Sequence, residues 1–277
     1  MPHDRAGESG LAAPRPAFAF GLGALAGTAG GLIGLGGAEF QLPALVGALG
    51  FTARQAVPLN LAASFCVLAA ALPFRLSATP WEAIGPHAPA VLGMLAGSMS
   101  AAWVGGGLLR RLGDRVLGRS ILVLLVALGL ILIAEGIFVA APTRLVGEGW
   151  LTSAAVAAAC GVVIGLVSSL LGVAGGELII PVFILLFGVD AKLAGSMSAL
   201  VGLPTIAIGL ARWLSPGSPL REAAILRGTL APLAAGSIHG AAAGALSLGL
   251  VPASALKIAL GIILIWSASR IFGHLPA

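Results

Sequence analysis

The strongest constraint on this chain is that it contains a copy of itself. Residues 20–60 are echoed by residues 158–198 at a constant offset of 138. Gly23, Gly27, Gly34, Gly37, Glu39, Pro43 and Gly50 thereby fall on Gly161, Gly165, Gly172, Gly175, Glu177, Pro181 and Gly188. The copied positions are those that interrupt an apolar helix. Duplicated, Gly/Pro-interrupted apolar segments at matching places in two halves mark a membrane transporter with its substrate site at the repeat interface.

The setting is a lipid bilayer. Of the residues, 58% are hydrophobic and only 9% charged, and several apolar runs approach the roughly 20 residues that a membrane span requires. The runs lie at 18–33, 38–49, 55–73, 84–108 and 117–140, and again at 152–171, 177–188, 193–214, 222–247 and 253–272. Those at 38–49 and 177–188 are anomalous. A helix of that length reaches about 18 Å, against a hydrocarbon core of about 30 Å. They are expected to be half-helices.

The fold predicted from this pattern is an all-α integral membrane protein with about eight transmembrane helices in two homologous four-element repeats. Each repeat contains a Gly-interrupted broken helix. The boundaries are a polar tail at 1–16, a first repeat at 17–141, a loop at 142–151 and a second repeat at 152–277. If the two pieces of the broken element cross the membrane once, the repeats are parallel. If they form a hairpin, three spans per half make the repeats inverted. The sequence leaves both arrangements open. Ala96-Gly97-Ser98 recurs as Ala235-Gly236-Ser237, one residue out of step, and Arg119 recurs as Lys257. A repeat spanning the whole half points to two similar bundles. The row Gly93, Gly97, Ala101 predicts close helix packing in lipid.

The net charge of +5 does not indicate a nucleic-acid partner. Arg110, Arg111, Arg115 and Arg119 cluster in a short segment between two apolar runs, as expected of cytoplasmic topology signals, and no nucleic-acid-binding motif accompanies them. Cys66 and Cys160 are far apart in apolar stretches, and His3, His87, His239 and His274 are scattered. Neither a disulfide nor a metal site is expected. Without a nucleophile elbow or a Walker-type loop, neither an enzyme nor a nucleotide cofactor is indicated. The apolar run after the N-terminal tail is half of the repeat, and so is expected to be an uncleaved first span.

Two segments carry a family resemblance. Gly34-Leu35-Gly36-Gly37-Ala38-Glu39-Phe40-Gln41-Leu42-Pro43 and Gly172-Val173-Ala174-Gly175-Gly176-Glu177-Leu178-Ile179-Ile180-Pro181 resemble the twin glycine-rich signatures of the sulfite exporter TauE/SafE family, and the resemblance covers nearly the whole chain. It implies a small permease of about eight spans for sulfite, sulfonates or other organosulfur anions, working by secondary transport. The partners so implied are a small anionic substrate and membrane lipid, with a homo-oligomer possible. The setting is a multi-pass protein of the cell membrane, in bacteria the cytoplasmic membrane. The chain departs from the usual glycine triplet at Ala38 and Ala174, and alanine resists positive φ.

The candidate site follows from the interruptions. An unwound membrane helix exposes backbone groups that lipid cannot satisfy, so Gly34, Gly36, Gly37, Gly172, Gly175 and Gly176 must face protein or a polar cavity. The half-helices that begin there point free N–H groups and a positive dipole end at the break, which suits an anion. The alternative is that these glycines only permit tight helix crossing.

Glu39 and Glu177 are costly within a membrane, by about 2.5–3.5 kcal/mol each on insertion scales. They are candidates for proton coupling, or else for complementing the helix dipole. Asn60, Ser64, Ser196 and Ser198 offer hydrogen bonds to substrate oxygens or between helices. Arg54 and Lys192 either attract anions to the mouth or snorkel at the interface. His239 is a proton relay or a hydrogen-bonded core residue. Besides a coupled transporter, a passive channel, a carrier of another solute and a membrane assembly protein remain as readings.

Overall fold

The computed structural model describes residues 15–109, 114–137, 145–147, 149–172, 175–214 and 218–247, with single positions between 252 and 266. The N-terminal tail, Ala174, most of the Arg110–Arg119 cluster's first half and most of the last apolar run lie outside the described residues. The elements described are helices: α1 Pro16–Ile33, α2 Ala38–Gly47, α3 Ala53–Ala78, α4 Trp81–Ile84, α5 Ala88–Leu109, α6 Asp114–Ile137, α7 Trp150–Leu171, α8 Gly176–Phe187, α9 Ala191–Ala211, α10 Ala223–Ile225 and α11 Ala231–Leu246. Short 3₁₀ turns and a π turn at Leu226–Leu230 connect some of them. Among the described residues, four segments, Pro16–Ile33, Ala53–Ala78, Trp150–Ser169 and Lys192–Leu214, are long and apolar enough to cross a membrane.

The half-helices form where the apolar runs are short. Helix α2 has 10 residues and α8 has 12, or about 15 and 18 Å at 1.5 Å per residue. Helix α3 departs from expectation. It runs through Pro58 and Pro73 to Ala78 instead of ending at Pro73. Proline is tolerated inside membrane helices where neighbouring groups re-satisfy the freed backbone, and the turn after Pro73 is anchored by the buried side chain of Arg75.

Matching caps start the two central helices. The Thr52 hydroxyl accepts from Gln55 N (3.3 Å) while Thr52 N donates to the Gln55 side chain (3.1 Å). The Asp190 carboxylate, 138 positions on, accepts from the N–H groups of Lys192 (2.9 Å) and Leu193 (3.2 Å). Asp190→Ala should therefore cost about 1 kcal/mol. Thermal unfolding in detergent checks this, and an unchanged midpoint would show that packing alone holds the start of α9.

Small residues bring helices together in pairs. Side chains added at Gly23, Gly27 and Gly31 of α1 would strike the backbone of α11 at Leu233, Ser237 and Ala241, and ones added at Gly236, Gly240 and Gly244 would strike α1 at Phe20, Ala24 and Thr28. Gly93 and Gly97 of α5 meet Ala154 and Ala158 of α7 in the same manner, answered by Gly161 and Gly165 against Met94 and Ser98. Four-residue spacing of small residues permits this backbone approach. The expected close packing at Gly93 and Gly97 is present, but the pairs run across the halves. Helix α1 lies along α11, and α7 along α5, with contacts advancing in the same direction in each pair, so the halves interlace.

Helices α3 and α9 form the middle. Residues Ala56 to Leu61 of α3 and Ala194 to Ala199 of α9 are buried in unbroken runs, the mark of a helix enclosed on all sides. Near its start, α3 meets the end of α7, because Asn60 Nδ2 donates to the Gly172 carbonyl (2.6 Å). Near its other end α3 meets the end of α1 and the start of α9, because Arg75 donates to the carbonyls of Gly31 (3.0 Å), Leu32 (3.1 Å) and Lys192 (3.2 Å). Asn60 and Arg75 are about 22 Å apart along a helix. Helices α1 and α7 therefore terminate at opposite ends of α3.

Candidate functional site

Six glycines have positive φ among the described residues, and they form three pairs 138 positions apart: Gly34 and Gly172, Gly37 and Gly175, Gly50 and Gly188. The left-handed turns at the first two pairs end α1 and α7 and start α2 and α8. Ala38 carries no positive φ and is the first helical residue of α2. The departure from the glycine triplet there is harmless, because the left-handed geometry falls on Gly34 and Gly37.

After each turn the chain doubles back. A Cβ at Gly37 would lie 2.7 Å from the Ala26 carbonyl oxygen, and one at Gly175 would lie 3.0 Å from the side chain of Ile164. Positions 26 and 164 are again 138 apart. This return brings the start of each half-helix inward. It also leaves the first amides of α2 and α8 facing the break, since the earliest intrahelical bonds are Phe40 N to Gly37 O (3.3 Å) and Leu178 N to Gly175 O (3.0 Å), and the amides before them have no such partner.

The broken elements meet each other. A Cβ at Gly176 would be 3.0 Å from Ser198 Oγ, 3.3 Å from Leu35 and 3.4 Å from the Gly34 carbonyl oxygen. Gly34 in turn packs on Gly195 of α9, while Gly172 packs on Val57 of α3. Each break is thus seated on the central helix of the other half.

Several buried polar side chains of the half-helices and central helices are left unsatisfied. Glu39 and Glu177 are 0% and 1% exposed, and none of their carboxylate oxygens has a hydrogen-bond partner. Asn60 Oδ1, Ser64 Oγ and Ser198 Oγ are also buried without a partner. Buried polar groups of this kind cost about 1–3 kcal/mol each unless something completes them, and an unexplained cluster points to a ligand or to water.

The other residues singled out from sequence have different roles. Ser196 is already engaged, its hydroxyl 2.9 Å from Thr79 Oγ1 and 3.3 Å from the Lys192 carbonyl oxygen. It ties the end of α3 to α9. Lys192 is exposed and Arg54 half-buried, in the first turns of α9 and α3. His239 is exposed on the outer face of α11, its Nδ1 2.8 Å from the Ala235 carbonyl oxygen and its ring 6.1 Å from Phe20. The core position expected of it is not found, because α11 turns its glycine row inward and His239 away.

Gln41 and Arg75 are among the buried polar residues that escaped the sequence reading. Gln41 donates from Nε2 to Ser237 Oγ (3.1 Å), leaving Oε1 unpartnered. Its place two residues after Glu39 in an apolar run was the available signal. Arg75, 1% exposed, was hidden by reading a helix end at Pro73. No group of three or more metal-ligating side chains occurs among the described residues.

The geometry is therefore that of two broken helices, seated on each other's central helix, with the start of α8 and the unsatisfied Ser198 hydroxyl where they meet. A family model described as Sulfite exporter TauE/SafE matches residues 19–271. No curated protein and no solved structure matches. Since that model spans both broken elements and nearly all of the apolar helices, the chain belongs to the sulfite exporter TauE/SafE family, a family of membrane transporters of the sulfite-exporter type.

Proposed function

We propose that this chain is a secondary transporter of a small sulfur-containing anion, such as sulfite or a sulfonate, with its site where the two broken elements meet. The observation that carries the reading is the contact of Gly176 with Leu35 and Gly34, next to the unsatisfied Ser198 hydroxyl. Half-helix starts concentrate partial positive charge, and irregular backbone at membrane depth is tolerated where it lines such a site. Asn60, Ser64 and Ser198 supply neutral hydrogen bonds to substrate oxygens. Glu39 and Glu177 supply carboxyls that exchange protons with the transport cycle, because two charged carboxylates beside an anion would repel it.

The architecture that goes with this function is two homologous inverted repeats. In each, a broken element doubles back and is followed by three further apolar runs, the last of the second repeat being 253–272 of the sequence. Termination of α1 and α7 at opposite ends of α3 supports inversion. Alternating access then amounts to one repeat moving against the other around the junction.

Purified protein in liposomes tests the function directly. Uptake of radiolabelled sulfite, thiosulfate or a simple sulfonate should saturate with concentration and respond to an imposed proton gradient. Flux that rises linearly without saturation would indicate a channel. No flux of any of the three would remove the sulfur-anion reading.

A further inference from the structure

Arg75 has no place in the site as described so far, yet it is the only cation buried among the described residues. Every hydrogen-bond partner of its guanidinium is a backbone carbonyl, two of them in the last turn of α1 and one in the first turn of α9. Its Nε is buried and unpartnered. The terminal NH₂ group also crowds Gly195, the residue on which Gly34 is seated.

These contacts solve an electrostatic problem at the first break. An anion there is attracted by the start of α2 but repelled by the end of α1, whose last carbonyls carry the negative end of the helix dipole. The Gly30 carbonyl is covered by the N–H groups of Gly34 (2.8 Å) and Leu35 (2.9 Å). The next two carbonyls, of Gly31 and Leu32, are the ones that Arg75 covers.

The second break is treated differently. Position 213, the counterpart of 75 at the repeat offset, is Trp213, and the Gly172 carbonyl is covered by the neutral amide of Asn60. Among the described residues, the first break has a buried cation behind it and the second has none.

We propose that Arg75 is a positioning residue for transport, which cancels the negative end of α1 and makes the first break the half of the site that takes the anion's charge. This rests on the placement of the site at the junction. Arg75 acts through the carbonyls it covers and through its field, which a low-dielectric interior screens weakly.

The test separates charge from hydrogen-bonding geometry. Arg75→Lys keeps the charge and loses the planar fork, whereas Arg75→Gln loses both. KM and kcat for radiolabelled sulfite are measured in proteoliposomes, together with the thermal midpoint of each variant. Both variants should lose similar stability. Only Arg75→Gln should raise KM, by about tenfold or more, while Arg75→Lys stays within about threefold of the wild type. Equal KM increases in both variants, or an unchanged KM in Arg75→Gln, would overturn the proposal and leave Arg75 a structural tie. Should Arg75→Gln fail to assemble, Arg75→Lys decides alone: a lowered midpoint with KM held supports the charge role, and a KM that rises with the loss of stability refutes it. A wild type that carries sulfite normally while these variants fail the comparison overturns the role of Arg75 alone. A wild type carrying none of the three anions removes the site reading and this role with it.

Discussion

Gly34→Ala should destabilise the folded chain by about 2–5 kcal/mol, the largest loss expected from adding a single methyl group. Two penalties coincide at this position. Gly34 has φ +91°, and left-handed geometry costs an L-residue about 1–2 kcal/mol. The added Cβ would also overlap the carbonyl oxygen of Gly195, which is backbone and cannot rotate away, and such overpacking costs about 1–3 kcal/mol.

The comparison within the repeat sharpens the test. Gly172→Ala faces similar strain at φ +68°, but its Cβ would lie 2.8 Å from the Val57 carbonyl oxygen, a milder clash. Gly21→Ala meets nothing within 4 Å and should change stability by no more than about 0.5 kcal/mol. Thermal midpoints in detergent should thus order Gly21→Ala, Gly172→Ala and Gly34→Ala from mildest to most severe. A Gly34→Ala protein melting with the wild type would show that the left-handed turn does not hold α1 against α9.

Glu39→Gln together with Glu177→Gln should abolish the response of transport to a proton gradient, lowering gradient-driven flux by about tenfold or more. The fold should tolerate both changes. Neither carboxylate has a hydrogen-bond partner to lose, and glutamine keeps the volume of the side chain while being unable to carry a proton. The amides of Gly175 and Glu177 do lie close enough to act on the Glu177 carboxylate electrostatically. If the carboxylates serve mainly to complement the starts of α2 and α8, the double variant loses a charge–dipole contribution of up to about 1 kcal/mol at each helix. The melting point then falls while the pH response persists. That pattern would end the proton-coupling reading.

Much of the local geometry at the two breaks was legible in the residues themselves. Glycine at matched positions 34 and 172, and at 37 and 175, reported the left-handed turns, because no other residue adopts positive φ cheaply. Glutamate in an apolar run reported a buried carboxyl, because lipid penalises it so heavily. Asn60, Ser64 and Ser198 were singled out as polar residues in the N-terminal halves of the central helices, and all three have unsatisfied atoms in the structure. Ser196 satisfied the same pattern and yet serves as a tie, since its partner Thr79 is 117 residues away and on the far end of α3.

The errors have a common origin. Reading Pro73 as a helix end and His239 as a core residue each required knowing which surface faces which. Proline breaks a helix in water more reliably than one whose neighbours shield its backbone. A histidine in a small-residue helix is inside or outside according to which face the glycines choose.

The sequence by itself determined the membrane setting, the duplication, the two breaks and the glycines on which they turn. These depend on local chemistry: transfer of apolar surface, the steric limits of L-residues and the length of a helix relative to a bilayer. Only the tertiary structure decided that α1 pairs with α11 and α7 with α5, that α1 and α7 end at opposite ends of α3, and that Arg75 reaches carbonyls 43 and 117 positions distant. Those are choices among partners of similar composition. They are made by the backbone approach that glycine rows allow and by the need to cover polar groups at helix ends.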